Sequence, residues 1–126
     1  MRVQSEIAHI RRTCLGLPDV SERLSHGERT WFVQGKRAFV ALTWHKGERL
    51  AFWCASDAHE QHELIASDPE RFFRPPGARK RNWVGMYVDD DVTPVEVEAM
   101  LDHAYRHVAP KKLLGILDEA RSRKAG

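Results

Sequence analysis

Three β-rich runs, joined by turns that leave the chain little choice but to double back, constrain this sequence more than any other feature. Arg29 to Val33 and Lys36 to Thr43 are rich in β-branched and aromatic residues and are separated by Gln34-Gly35. A two-residue link with glycine second predicts a tight hairpin. His45-Lys46-Gly47-Glu48 predicts a second turn, and Arg49 to Ala55 a third strand. Side chains alternate across a strand. On the second strand this puts Ala38, Val40 and Leu42 on one face and Arg37, Phe39 and Ala41 on the other. On the third it separates Leu50, Phe52 and Cys54 from Ala51, Trp53 and Ala55. The expectation is an antiparallel meander with one face for the core and one partly wet.

Helices surround the meander. Val3, Ile7, Ile10, Cys14 and Leu17 recur at spacings of three and four, the apolar stripe of a helix that Gly16 and Pro18 end. Asp19 to Ser25 is polar and reads as a connector. Asp57, with Glu60 three residues on, predicts a capping box at the start of a helix that stops near Ser67. Asp68-Pro69-Glu70-Arg71 reads as a further cap and short turn that delivers Phe72 and Phe73 inward. Trp83 to Val88 is a fourth strand. Thr93-Pro94-Val95-Glu96 opens a strong helix, with Val97, Met100, Leu101, Ala104, Tyr105 and Val108 as its stripe. Ala109-Pro110 breaks it, and Lys111 to Arg123 is a last helix. The order predicts an α+β fold, an antiparallel sheet meander with helices packed on one face. A chain of 126 residues suits one domain over 1–126, able to bury a core without metal or disulfide staples.

Composition excludes several classes. The chain is 42% hydrophobic and 30% charged, which argues against disorder. No segment approaches the roughly 18 apolar residues of a membrane span. Charges scattered through the first residues do not fit a secretory signal. Cys14 and Cys54 lie far apart and outside any Cys-x-x-Cys pair, so two free, buried thiols in a reducing cytoplasm are expected.

The functional hint lies between Arg71 and Arg81. This stretch holds five cations (Arg71, Arg74, Arg79, Lys80, Arg81) and no acid, in a chain whose net charge is only +2. Pro75-Pro76-Gly77 makes it a loop, pinned by Phe72-Phe73 before it and Trp83 after it. Cations on a loop can displace the counterions of nucleic-acid phosphates, and arginine also stacks on bases. Lys111 and Lys112, with Arg106, form a second basic group, and Lys36 and Lys46 sit at hairpin turns. His103 and His107 are four apart on one helix face, a spacing that can hold a metal ion, and His59 and His62 are three apart on another. The sequence identifies no third ligand, so these read as exposed helix histidines and no metal site is assigned. Asp89, Asp90 and Asp91 splay along a turn. No nucleophile elbow and no phosphate-cradling glycine loop is present.

Several segments together resemble the MmcQ/YjbR-like family. They are Leu15-Gly16-Leu17-Pro18-Asp19-Val20, His26-Gly27-Glu28-Arg29-Thr30-Trp31-Phe32-Val33 with Gly35-Lys36, Asp68-Pro69-Glu70-Arg71-Phe72-Phe73, Pro75-Pro76-Gly77, Trp83-Val84-Gly85 and Ala109-Pro110-Lys111-Lys112-Leu113. The resemblance implies a fold similar to bacterial frataxin (CyaY-like) and a DNA-binding role through a double-wing arrangement of hairpins. The frataxins' acidic iron-binding helix has no counterpart, since Glu6 is the sole acid in the first helix and Arg11 and Arg12 oppose it. Between Gly77 and Trp83 the chain departs from the family's glycine- and tyrosine-rich loop with Ala78-Arg79-Lys80-Arg81. The leading expectation is a small, monomeric, cytoplasmic, non-enzymatic protein with no cofactor. It would bind DNA weakly and non-specifically through Arg74, Arg79, Lys80, Arg81, Lys111 and Lys112. One alternative is a small-molecule pocket for an aromatic or planar metabolite, lined by His26, Trp44, Trp53 and Trp83. A third is a partner-binding module that uses its sheet face.

Overall fold

The computed structural model describes residues 2–45, 47, 49–77, 82–88 and 92–125. The elements are α1 (Arg2–Leu15), β1 (Val20–Ser25), β2 (Glu28–Val33), β3 (Arg37–His45), β4 (Arg49–Cys54), α2 (Ala58–Ser67), β5 (Phe72–Phe73), β6 (Val84–Tyr87), α3 (Pro94–Val108) and α4 (Lys111–Ala125). The strands form one antiparallel sheet in the order β1-β2-β3-β4-β6-β5. The hairpin expected at Gln34-Gly35 forms, with φ of 56° and 66° at its two residues, as primed turns demand.

Two strands were hidden in the sequence. The polar stretch read as a connector is β1, paired along its whole length with β2 from Val20↔Val33 to Ser25↔Glu28. His26-Gly27 is therefore a second tight turn, with φ of 54° and 80°. Phe72 and Phe73, after a single turn in which the Asp68 carbonyl accepts from the amides of Arg71 and Phe72, form a two-residue edge strand against Met86 and Gly85.

Helices cover one face. Ile10 and Cys14 of α1, Val97, Leu101, Ala104 and Tyr105 of α3, and Leu113 and Leu117 of α4 join Trp31, Val40, Phe52, Cys54, Val84 and Met86 in one core. Fully burying a side chain such as Phe52 contributes roughly 1.5–3 kcal/mol. The alternation expected on β4 holds, with Leu50, Phe52 and Cys54 facing the helices. On β3 it breaks. Trp31 pairs with Val40 but Phe32 with Ala38, so Phe39 is the extra residue of a bulge. Phe39 thereby joins Val40 on the helix side, fully buried, with its ring 5.6 Å from that of Tyr105 in an edge-on contact. Ala38 turns to the other face.

Local chemistry fixes the helix ends. Thr93 caps α3 in a complete capping box with Glu96, and Pro94 opens its first turn. The Asp57 carboxylate accepts from the Glu60 amide at 2.8 Å and starts α2. The Tyr105 hydroxyl donates to the Pro18 carbonyl at 2.7 Å, tying α3 to the end of α1, and burial pushes its pKa up to about 12. Cys14 and Cys54 are free and buried, and burial raises both thiols far above their ordinary value. Among the described residues no helix is long and apolar enough to cross a membrane.

Candidate functional site

The sheet face turned away from the helices gathers aromatic rings and arginines. Strand register places Phe32, Ala41, Thr43, Ala51, Trp53, Gly85 and Tyr87 on it. At the β1 edge the Arg23 guanidinium lies 3.6 Å from the centre of the Phe32 ring, and one of its N–H groups donates to the Gly35 carbonyl at 3.2 Å. Toward the opposite edge the Arg49 guanidinium lies 3.7 Å from the centre of the Tyr87 ring. The Phe73 ring packs beside Tyr87, centroids 4.7 Å apart, and lies across Gly85, where the missing Cβ makes room for it. Between the two groups stands Trp53, whose indole N–H is buried with no acceptor among the described residues. A guanidinium stacked on a ring can direct its N–H groups at a second partner, as Arg23 does at the Gly35 carbonyl. Glu28 is the acid that the alternation of β2 puts on the same face.

The residues singled out from the sequence fall in different places. Arg74 is exposed and follows Phe73 directly, at the margin of this face. Arg79, Lys80 and Arg81 lie outside the described residues, as do Lys46 and Asp89 to Asp91. Arg71 is drawn into the helical side by Glu96 at 3.1 Å and Asp68 at 3.7 Å, so it does not belong with the loop cations. Lys111 and Lys112 are exposed at the start of α4, on the helical layer and thus across the sheet from Arg23 and Arg49. Arg106, grouped with them in the sequence, is held by Asp102 at 3.1 Å and Asp118 at 2.8 Å. Of the expected basic residues that are described, Arg74 at the sheet margin and Lys111 and Lys112 on the helical layer do not fall together.

Nor do the four residues of the alternative pocket. His26 occupies the β1–β2 turn. Trp44 is 49% exposed and faces the helical side, whereas Trp53 faces away from it. Trp83 precedes β6, and its carbonyl accepts from the buried Gln61 amide at 2.6 Å. A cleft of about 490 Å³ opens elsewhere, between α1 and α3, with Glu6, His9, Ile10, Val92, Pro94 and Glu98 among its walls.

A second cluster sits on the helical side. Glu60 of α2 reaches across to α3, where its carboxylate accepts from His107 Nε2 at 3.0 Å and contacts His103 Nε2. Burial raises the Glu60 pKa, but the hydrogen bonds from His103 and His107 outweigh it and leave the carboxyl below its ordinary value.

The arginine–aromatic pairs escape sequence reasoning because each joins residues on different strands, and β1 itself was read as a connector. No curated protein sequence matches the chain. The crystal structure of Deinococcus radiodurans protein DR2400, with its DUF419 domain, is similar at a TM-score of 0.71 and 20% identity, over 84% of this chain and 80% of that one. This likeness speaks for the fold: a sheet with helices on one side. The YjbR family model matches residues 15–107, which take in the sheet, α2 and nearly all of α3. On that match the chain belongs to the YjbR family.

Proposed function

We propose that this chain is a non-enzymatic, monomeric, cytoplasmic binding protein that takes nucleic acid weakly and without sequence preference on the sheet face turned away from its helices. The observation that carries the reading is the pair of arginines stacked on Phe32 and Tyr87, with Phe73 and Trp53 between and beside them. Stacked guanidinium groups suit phosphates, and flanking rings suit unpaired bases. Arg74 at the margin, and Arg79, Lys80 and Arg81 soon after it in the sequence, would extend the phosphate contacts. Free, buried thiols suit a reducing compartment. A net charge of +2 keeps the expected affinity low.

Fluorescence anisotropy with a labelled oligonucleotide across a salt series tests the reading. Arg23 and Arg49 on two phosphates contribute a log–log salt slope of about −1.8 on duplex DNA, or about −1.4 on a single strand. Arg23→Ala/Arg49→Ala is expected to weaken binding and to flatten the slope by that amount. Arg79→Ala/Lys80→Ala/Arg81→Ala is expected to reduce it further, and Lys111→Ala/Lys112→Ala, across the sheet, to leave it unchanged. Wild-type affinity and slope in the Arg23→Ala/Arg49→Ala variant would overturn the proposal.

A further inference from the structure

His103 and His107 lie one turn apart on α3, with ring centres 5.0 Å apart and planes inclined by 80°. Both turn Nε2 toward one carboxylate, that of Glu60 on α2. One ligand atom from each residue falls within 4.8 Å of the other two. An ion held about 2.0–2.2 Å from each donor would set them roughly 3.4 Å apart, so the side chains need only small rotations to close on it.

Three further observations favour a built site. First, Glu60 holds the position on α2 at which a glutamate ordinarily turns back to cap the helix, as Glu96 does on α3. Its oxygens instead go to the two histidines and to the Ser56 hydroxyl, which donates to Oε1 at 3.1 Å. That hydroxyl steadies the carboxylate as outer-shell groups do around metal ligands. Second, the histidines belong to the C-terminal half of α3, with His107 in its last turn, where the helix dipole favours a cation. Third, the Asp57 carboxylate, which accepts from the Glu60 amide at 2.8 Å, places a further negative charge near the cluster.

We infer that Glu60, His103 and His107 form a three-ligand site for a divalent transition-metal ion, with zinc the ion that its two imidazoles and one carboxylate suit. Imidazole with carboxylate favours such an ion over calcium or magnesium, which prefer all-oxygen shells. Each histidine coordinates through Nε2 with its proton on Nδ1, so the ion replaces the hydrogen bonds now made to Glu60. The His103 side chain is 50% exposed, against 27% for Glu60 and 25% for His107, which leaves the remaining coordination positions to water on the solvent side. The site lies on the helical layer and does not rest on the arginine face across the sheet.

Isothermal titration calorimetry of the chelator-stripped full chain with zinc chloride tests the inference. One ion per chain is expected. His103→Ala/His107→Ala, and separately Glu60→Gln, should each weaken uptake by roughly 10-fold or more. His59→Ala/His62→Ala should leave it unchanged. Zinc should raise the Tm of the wild type and not that of the histidine double variant. Absence of stoichiometric uptake by the wild type, or uptake in the His103→Ala/His107→Ala variant with wild-type affinity, overturns the site. Undiminished uptake by Glu60→Gln, which keeps the side-chain volume, overturns the three-ligand assignment.

Discussion

Replacing Gly85 with alanine tests whether the ring of Phe73 is the reason β6 carries a glycine. A methyl group there would stand under 3.0 Å from Cζ and both Cε atoms of that ring. In an ordinary strand, exchanging glycine for alanine stabilises by about 0.5–1 kcal/mol, because the unfolded chain has less freedom to lose. Here the added carbon must displace a ring that also packs on Tyr87 at 4.7 Å, and overpacking of that kind costs about 1–3 kcal/mol. The net expectation is a loss of about 1–2 kcal/mol, or roughly 4–8 °C in Tm for a domain of this size. Urea unfolding followed by tryptophan fluorescence measures it. The decisive arm is the same substitution in a Phe73→Ala background, where no ring remains to collide with. There Gly85→Ala should be neutral or mildly stabilising, giving a coupling of about 1–3 kcal/mol. Equal destabilisation in both backgrounds would refute the reasoning and place the constraint in the backbone of β6 instead.

Tyr105→Phe removes the donor to the Pro18 carbonyl and leaves that oxygen unmet, at a cost of about 1–2 kcal/mol measurable by thermal unfolding. Acid should destabilise the fold through Glu60 and Asp102. Burial raises each carboxyl, but the histidines on Glu60 and the Arg121 and Arg106 bonds on Asp102 outweigh it, so both native values lie below the ordinary carboxylate range. The unfolded chain then binds protons first, and stability present above about pH 4 is lost as pH falls through the native values. Asp102→Asn should flatten that loss in urea midpoints taken between neutral and acid pH, and an unchanged profile would assign it to other groups.

What the sequence made legible was whatever repeats within one element. The α1 and α3 stripes, the Thr93 cap and the alternation of β4 all declare themselves locally, and all are present. β1 did not, because it is an edge strand and its sequence, with Glu22 and Arg23 in it, is polar, as edge strands commonly are. Glu22 also accepts from the Trp31 indole at 3.1 Å and from Arg11 at 2.9 Å, so its polarity serves packing across elements that no spacing rule reveals. The same limit hid the two candidate clusters. Glu60 stands 43 and 47 residues from its histidine partners, and only the meeting of α2 with α3 brings them together. The basic loop was conspicuous because its charges adjoin in sequence, yet adjacency gave no warning that Arg71 would be claimed by Glu96.

The bulge at Phe39 acts as a phase shifter in β3. Downstream of it the strand keeps the beat that alternation predicts; upstream, every side chain has changed sides by one step. A protein that deleted a single residue here would retain its hydrophobic content and still present the wrong half of the strand to the helices. Sequence comparisons across relatives should therefore tolerate a one-residue offset within this strand, since a gap-free match through Phe39 can pair inward positions with outward ones.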